Sequence, residues 1–400
     1  MTTREDERDA IRVPASAGIV AALVGFTSSF AVVLTGLRAV GADEAQATSG
    51  LIALCFAQAL GMLWLARRYR QPITLAWSTP GAALLASAGA VEGGWPAAVG
   101  AFVVTGVAIV ATGLIPALGR AVGRIPVPLA QAMLAGVLLP LCLAPVFALR
   151  DSAAATVPVL VVWLVLARFA PRWAVPGAFA AAAAVVAVAV ARGDASIAAA
   201  DLVASIELTA PTWTWQAIVG IALPLYIVTM ASQNIPGTAV MASFGYRVPW
   251  RASMLTTGAG TVLGAFAGGH AVNLAAISAA LAAGPAAGRD PQQRWIAGIA
   301  AGVSYLVIGA GAAAFAAVVV AAPDGVVAAV AGVALLATLA NALSAALADE
   351  SDRVAAVVTF VVAASGVAVL GVGSAFWALV IGLAVRWFLA PRPTRSREKM

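Results

Sequence analysis

The sequence predicts an all-α polytopic membrane protein: fourteen transmembrane segments arranged as a 7+7 inverted repeat, with short extended stretches before half-helices in spans 3 and 10. Three observations predict it. Hydrophobic residues make up 62% of the 400-residue chain and charged residues 10%, with a mean hydropathy of +0.98. A soluble domain carries about 25% charged residues, so a soluble enzyme is excluded. Apolar runs recur at close to the roughly 20 residues a helix needs to cross a bilayer. The two halves of the chain also echo one another at a nearly constant offset.

Apolar runs bounded by Arg, Asp, Pro and Gly place the first seven spans near residues 14–37, 46–66, 72–90, 96–118, 126–149, 153–169 and 174–191. A second seven follow near 213–243, 250–267, 270–284, 295–321, 325–348, 354–371 and 374–390. The chain is thus expected to be one transporter unit over 1–400, with repeats at 14–191 and 213–390 and no room for a separate soluble domain. The first residues, MTTREDERDAIR, mix both signs of charge and lead directly into an apolar run. They are expected to form a cytoplasmic tail rather than a signal peptide.

Arg and Lys favour the cytoplasmic loops of membrane proteins. With the N-terminus inside, 20 of the 23 basic residues fall inside, and only Arg38, Arg150 and Arg192 fall outside. An even number of spans puts both termini in the cytoplasm. The net charge of +6 is spread singly or in pairs between apolar runs, which fits topology and not a nucleic-acid partner. Cys55 and Cys142 lie within apolar segments, so no disulfide framework is expected.

Gly106-Val107 and Gly113 of span 4 recur 196 residues later as Gly302-Val303 and Gly309 of span 11. AMLAGVLL from Ala132 recurs as AVAGVALL from Ala329. Each half holds an odd number of spans, so the second enters from the opposite face. An inverted repeat of this kind is a transporter architecture with its site at the midplane, pointed to by interrupted spans at matching positions.

Spans 3 and 10 are the interrupted pair. In span 3 a β-prone stretch ending at Trp77 precedes Ser78-Thr79-Pro80-Gly81, a helix-start signal with Pro80 expected at the first helical position. In span 10, Gly268-Gly269 breaks the helix before a half-length helix expected to start at about His270. Both N-termini would then aim at the bilayer centre, where free N–H groups and the dipole suit an anion.

Polar residues inside a membrane usually face an interior or a pathway. Span 8 carries Tyr226, Thr229, Ser232, Gln233 and Asn234, and its counterpart span 1 carries Thr27-Ser28-Ser29 between Phe26 and Phe30; Asn273 lies in span 10. The hydroxyls can equally serve only to bond helix to helix. His270 is the sole histidine and can change charge near neutral pH. No Asp, Glu, Arg or Lys lies in the middle of a span, so a carboxylate at the midplane meets no fixed cation. Helix ends supply about 0.3–2 kcal/mol each, whereas desolvating an ion costs several kcal/mol. Direct N–H bonds and an accompanying proton would make up the difference, with His270 either as the proton site or only as a cap.

At STPGAALL from Ser78, SQNIPGTAVMASFGYRVPW from Ser232 and GGHAVNLAAISAAL from Gly268, the sequence resembles the benzoate:proton symporter family, similar in fold to uracil and xanthine permeases and sulfate-type anion transporters. The resemblance covers about residues 12–390. It implies a core of spans 1–4 and 8–11, a gate of spans 5–7 and 12–14, and import of benzoate or a similar aromatic carboxylate with a proton by alternating access. It also implies a bacterial inner-membrane location, no cofactor, and relatives that are often dimers, so a homodimer is an expected state. One departure is Phe266-Ala267, where the family has Pro and Phe. In the nucleobase permeases spans 8 and 10 supply carboxylates; here they offer Gln233, Asn234, His270 and Asn273, which argues for an anionic substrate.

The substrate ring would lie against Phe26, Phe30, Trp77, Tyr226 or Phe266. Its carboxylate would meet the N–H groups near Thr79, Gly81, Ala271 and Val272. The expected binding set is therefore Phe26, Thr27, Ser28, Trp77, Ser78, Thr79, Gly81, Tyr226, Gln233, Asn234, Gly268, Gly269, His270, Ala271 and Asn273. An uncoupled exchanger or facilitator of other small anions is the alternative. An intramembrane hydrolase would need His270 as base, yet no glycine-flanked serine motif accompanies it.

Overall fold

The computed structural model describes residues 4–198 and 202–390, nearly all in helices. Among these residues seven helical stretches are long and apolar enough to cross a membrane, or eight if one bent pair counts as a span, with two shorter apolar helices beside them.

The first crossing is α1 (Arg4–Thr27) followed by α2 (Phe30–Ala39). It starts earlier than the expected residue 14, and it breaks. The hydroxyls of Ser28 and Ser29 both donate to the Gly25 carbonyl (2.9 and 3.4 Å), competing with the helical ladder where α1 stops. The next helix, α3 (Glu44–Tyr69), starts on a capping box. The Asp43 carboxylate accepts the Gln46 N–H (2.8 Å), and Gln46 Oε1 accepts the Asp43 N–H (3.0 Å), so two orphan amides are satisfied at once.

The third apolar run is split into β1 (Leu75–Trp77) and α4 (Thr79–Ala88). Helix α4 begins one residue before the expected start, because the Ser78 side chain is the cap and Pro80 takes the second position. Then come α5 (Gly94–Leu114), α6 (Pro116–Val122), α7 (Val127–Asp151), α8 (Ala153–Phe169) and α9 (Ala174–Arg192).

The eighth run is α10 (Trp215–Ala217), α11 (Leu223–Thr229) and α12 (Ile235–Ser243), joined by wide π turns at Ile218–Ala222 and Met230–Asn234. Such turns are rare and cluster at functional sites. It leads to α13 (Trp250–Ala265), β2 (Val272–Leu274) and α14 (Ile277–Ala283). The expected helix start near His270 is corrected here. The chain is extended through Leu274 because it pairs with β1, and the helix waits until Ile277.

The remaining helices are α15 (Trp295–Ala310), α16 (Ala312–Val320), α17 (Val326–Ala346), α18 (Arg353–Ala364) and α19 (Ser374–Leu389). At Gly311 the α15–α16 pair bends by 53°. The run expected to reach residue 371 stops at Ala364, because Gly366 (φ 65°) and Leu370 (φ 54°) turn the backbone left-handed and Val369 bridges Val372.

Lipid gives no hydrophobic drive for helix association, so close backbone approach matters. Helix α5 packs on α13, α3 on α15, and α7 on α17. At the first of these seams Gly106 and Gly258 face each other: a Cβ on either would lie 3.0 or 2.9 Å from the other's carbonyl oxygen. At the second, a Cβ on Gly302 would lie 3.1 Å from the Ala59 oxygen. Gly106 and Gly302 thus each sit at a close helix seam.

Candidate functional site

Two short extended segments meet in the interior. Strands β1 and β2 pair antiparallel, with Leu75 opposite Leu274, Ala76 opposite Asn273 and Trp77 opposite Val272. The ladder runs on at both ends, through Ser78 N–H to the Ala271 carbonyl (2.8 Å) and Ala275 N–H to the Thr74 carbonyl (3.0 Å). Pairing satisfies backbone groups that lipid could not. It also fixes the starts of α4 and α14 at opposite ends of the two-strand ladder.

Ser78 is the hub. Its Oγ accepts the Gly81 N–H (3.1 Å) and the Thr229 hydroxyl (2.9 Å). Its carbonyl oxygen lies 3.0 Å from His270 Nε2. A carbonyl can only accept, so Nε2 carries the proton, and Nδ1 is left buried without a partner. The Asn273 amide, with its nitrogen donating to the Leu274 carbonyl (2.9 Å), takes the Ser78 N–H on its oxygen (3.0 Å).

Three further residues fix β2. Asn234 Oδ1 accepts the Leu274 N–H (2.9 Å), and Thr261 Oγ1 accepts the Val272 N–H (2.9 Å). Gly268 has φ +90°, and a Cβ there would lie 3.0 Å from both the Gln46 carbonyl oxygen and the Trp95 ring. Only glycine suits that combination of left-handed backbone and close approach.

A cavity of about 590 Å³ opens against these half-helix starts, within the usual range for small-molecule sites. Of the expected binding set, Ser28, Trp77, Thr79 and Gln233 line it, together with Ser29, Pro80, Ala276, Ser278 and Tyr305. Trp77 Nε1 donates to Ser29 Oγ (2.8 Å), and the Trp77 ring meets Tyr305 at 6.0 Å, nearly perpendicular. The opposite wall is Arg172, Val175 and Pro176 before and in α9, and Ala334, Ala337 and Thr338 of α17. Arg172 is the one charged residue among those lining the cavity.

The other expected residues are elsewhere, each for a physical reason. Phe26 is buried in a stack with Phe30 (4.9 Å), closed by Phe315. Thr27 returns its hydroxyl to the Leu23 carbonyl (2.7 Å). Tyr226 is hydrogen-bonded to Thr112. Phe266 is 39% exposed on the outer face. Ser78, Gly81, Asn234, Gly268, Gly269, His270, Ala271 and Asn273 are buried in the frame that shapes the half-helix starts, outside the cavity lining. The Gly81 and Val272 amides, expected to meet a carboxylate, are taken by Ser78 and Thr261.

Sequence reasoning missed Tyr305, Ser278 and Arg172. Tyr305 and Ser278 carried a signal, a polar group inside an apolar run; Arg172 read only as a loop cation. Among the described residues no group of three or more His, Cys, Asp or Glu is placed to hold a metal ion.

Solved transporters share this architecture at low sequence identity. The transmembrane domain of a cyanobacterial bicarbonate transporter, BicA, matches with a TM-score of 0.58 at 15% identity, covering 95% of this chain and 97% of that one. Murine Slc26a9, an anion transporter solved in the inward-facing state, matches with 0.62 at 15% identity over 97% of this chain and 69% of that one. At that identity the likeness concerns the fold alone. In sequence, the chain is 38% identical to the inner membrane protein YdcO of Escherichia coli K12, over 92% of this chain and 93% of the relative. It is 29% identical to the benzoate membrane transport protein of Acinetobacter baylyi over 95% of each. The expectation of a transporter and not an enzyme rests on these relatives and on the family model that describes the benzoate membrane transport protein, which matches residues 10–388. The chain therefore belongs to the benzoate membrane transport protein family.

Proposed function

We propose that the protein imports benzoate or a similar aromatic monocarboxylate together with a proton, by alternating access across a bacterial inner membrane. The observation that carries this reading is the cavity at the two half-helix starts: aromatic on one wall, bare of carboxylates, and lined by a single charged residue, Arg172. The ring stacks on Trp77 and Tyr305. The carboxylate faces the first turn of α14, with Gln233, Ser28 and Thr79 in reach.

Fourteen crossings in two inverted repeats are the topology of this reading. The two strand and half-helix units meeting antiparallel support it, as does the seam of Gly106 on α13 matched by that of Gly302 on α3. Spans 1–4 and 8–11 then carry the site, and spans 5–7 and 12–14 move against them. With both termini in the cytoplasm, the cavity's Pro171–Arg172 end faces inward. Phe26, Phe30, Phe179 and Phe315, linked by successive ring contacts, close the outer side.

Coupling runs through His270. A proton on Nδ1 puts a positive charge behind the start of α4, which the helix dipole disfavours and a carboxylate in the cavity offsets. Proton and anion then favour each other's binding. The rival reading, an uncoupled exchanger or facilitator, is favoured by one observation: the histidine is behind the cavity wall and not on it.

Uptake of radiolabelled benzoate into proteoliposomes, under an imposed pH gradient and with unlabelled aromatic acids as competitors, tests both. Accumulation driven by the pH gradient and lost in His270→Gln is expected. Uptake that follows the anion gradient and persists after the proton gradient is collapsed would leave the exchanger.

A further inference from the structure

A second cavity, larger than that of the candidate site, lies away from it. It is a groove of about 960 Å³ along the outer faces of α3 and α13, walled by Phe56, Leu60 and Trp64 on one side and Leu255 and Leu263 on the other. Leu60, Trp64 and Leu263 are 59%, 49% and 73% exposed. Small residues make its floor. A Cβ on Gly260 would lie 3.5 Å from the Ala57 Cβ, one on Gly264 4.0 Å from that of Ala53, and one on Gly61 3.0 Å from Thr256 Cγ2. From Leu255 to Ala267 the groove runs about 18 Å at 1.5 Å per residue, slightly more than half of a hydrocarbon core about 30 Å thick.

The same contacts set an antiparallel register that brings Arg67 and Arg68 of α3 level with Arg251 of α13, just past Trp64. All three are exposed. Trp64 meets Tyr69 edge-on at 6.1 Å, and the Arg68 guanidinium lies 5.3 Å from the Tyr69 ring centre. Aromatic rings beside basic groups are what a membrane interface selects. The far end, closed by Ala204 and Ile206, carries the exposed carboxylate of Glu207. The groove is therefore apolar along its length, basic at one end and acidic at the other.

We propose that this groove binds one acyl chain of an anionic phospholipid, with the phosphate held by Arg67, Arg68 and Arg251. The charge distribution selects the head group and its direction: a phosphate finds three guanidinium groups at one end and a carboxylate at the other. Basic pockets between transmembrane helices on the cytoplasmic side take such head groups, and the rule for basic residues puts this end in the cytoplasmic leaflet. It also disfavours a second copy of the chain. A two-fold axis along the membrane normal would bring the same three arginines of each copy to one level, face to face. The lipid touches α15 as well, since Gly309 and Ala310, at the 53° bend, are part of the groove wall. The site is independent of which anion is transported.

The test is native mass spectrometry of the purified full chain in detergent, given equal amounts of phosphatidylglycerol and phosphatidylcholine with the same acyl chains. One retained phosphatidylglycerol per chain is expected, preferred at least tenfold. The triple variant Arg67→Gln, Arg68→Gln, Arg251→Gln changes only exposed side chains and should lose that preference. Gly260→Leu, which fills the groove, should lower retention of both lipids at least tenfold at unchanged particle mass. Equal retention of the two lipids by the wild type, or a preference that survives the triple variant, would overturn the proposal in favour of an ordinary lipid annulus. A Gly260→Leu particle of half the mass with unchanged lipid would overturn it in favour of an interface between copies.

Discussion

The two broken spans meet strand to strand, yet their half-helices begin in opposite ways. At the start of α4, Ser78 Oγ holds the Gly81 amide, the Ser78 carbonyl holds the Ala82 amide (2.8 Å), and Pro80 has no N–H to offer. At the start of α14, Ala276 occupies the cap position without a side-chain bond. The amides of Ile277, Ser278 and Ala279 precede the first intrahelical bond, from Ala280 to Ala276 (3.3 Å). At α4 the Gly81 and Ala82 amides are used on its own frame; α14 has no side-chain cap, and its first turn lies at a cavity that Ala276 and Ser278 line. In the proposed reading the two segments divide the work, with α4 as brace and α14 as the face for an anion.

The strongest way to break this comparison is to put a negative charge at the start of α14. Ala276→Asp should leave folding unchanged or improve it by about 0.3–1 kcal/mol, since a carboxylate suits a helix N-terminus. It should repel the substrate: at an effective dielectric near 20, like charges about 5 Å apart repel by about 3 kcal/mol, which is roughly a hundredfold in affinity. Benzoate binding by calorimetry, read beside thermal unfolding, checks both. Unchanged affinity would mean that the anion does not bind at α14.

Second in size is Asn234→Ala. Its Oδ1 is the partner of the buried Leu274 N–H, and a buried donor left unpaired costs about 1–3 kcal/mol. Both thermal stability and benzoate affinity should fall, because β2 positions α14. Ser78→Ala comes next. Losing an N-cap costs typically about 1 kcal/mol, and Thr229 loses its acceptor too. Its effect should show in unfolding more than in binding, the reverse of Ala276→Asp.

The sequence made the break sites legible because their signals are local. Ser-Thr-Pro-Gly encodes a helix start in four consecutive residues, and α4 begins within one residue of expectation. Gly268-Gly269 signals a break, but nothing local reveals that the next residues pair with β1, where Asn273 lies opposite Ala76, 197 residues away in sequence. The local signal therefore points to a half-helix start at His270, whereas the helix begins at Ile277. The same limit applies to the site. Polarity picked out Gln233, His270 and Asn273 alike, while only Gln233 faces the cavity. Which polar groups are needed to tie down an irregular backbone is a property of the assembled fold, since every amide freed from a helix must find a partner in lipid.

The comparison extends to the strands, and here the expected effect is smallest. Trp77 lines the cavity, whereas its register partner Val272 is buried and outside it. The β1 side thus offers an aromatic wall, and the β2 side leads to the first turn of α14, a division that in the proposed reading matches the two ends of an aromatic carboxylate. Trp77→Phe separates wall from tie. It keeps a ring beside Tyr305 and Phe26 but removes the Nε1 bond to Ser29, which joins β1 to the break between α1 and α2. A hydrogen bond of this kind contributes about 0.5–1.5 kcal/mol, so thermal stability should fall modestly while benzoate affinity stays within about threefold, less than half of the 1.4 kcal/mol that a tenfold change represents. Trp77→Ala removes ring and tie together and should lower affinity further than Trp77→Phe does. Equal losses in the two variants would show that the tryptophan serves only to hold β1, and the ring would then have to find its wall at Tyr305.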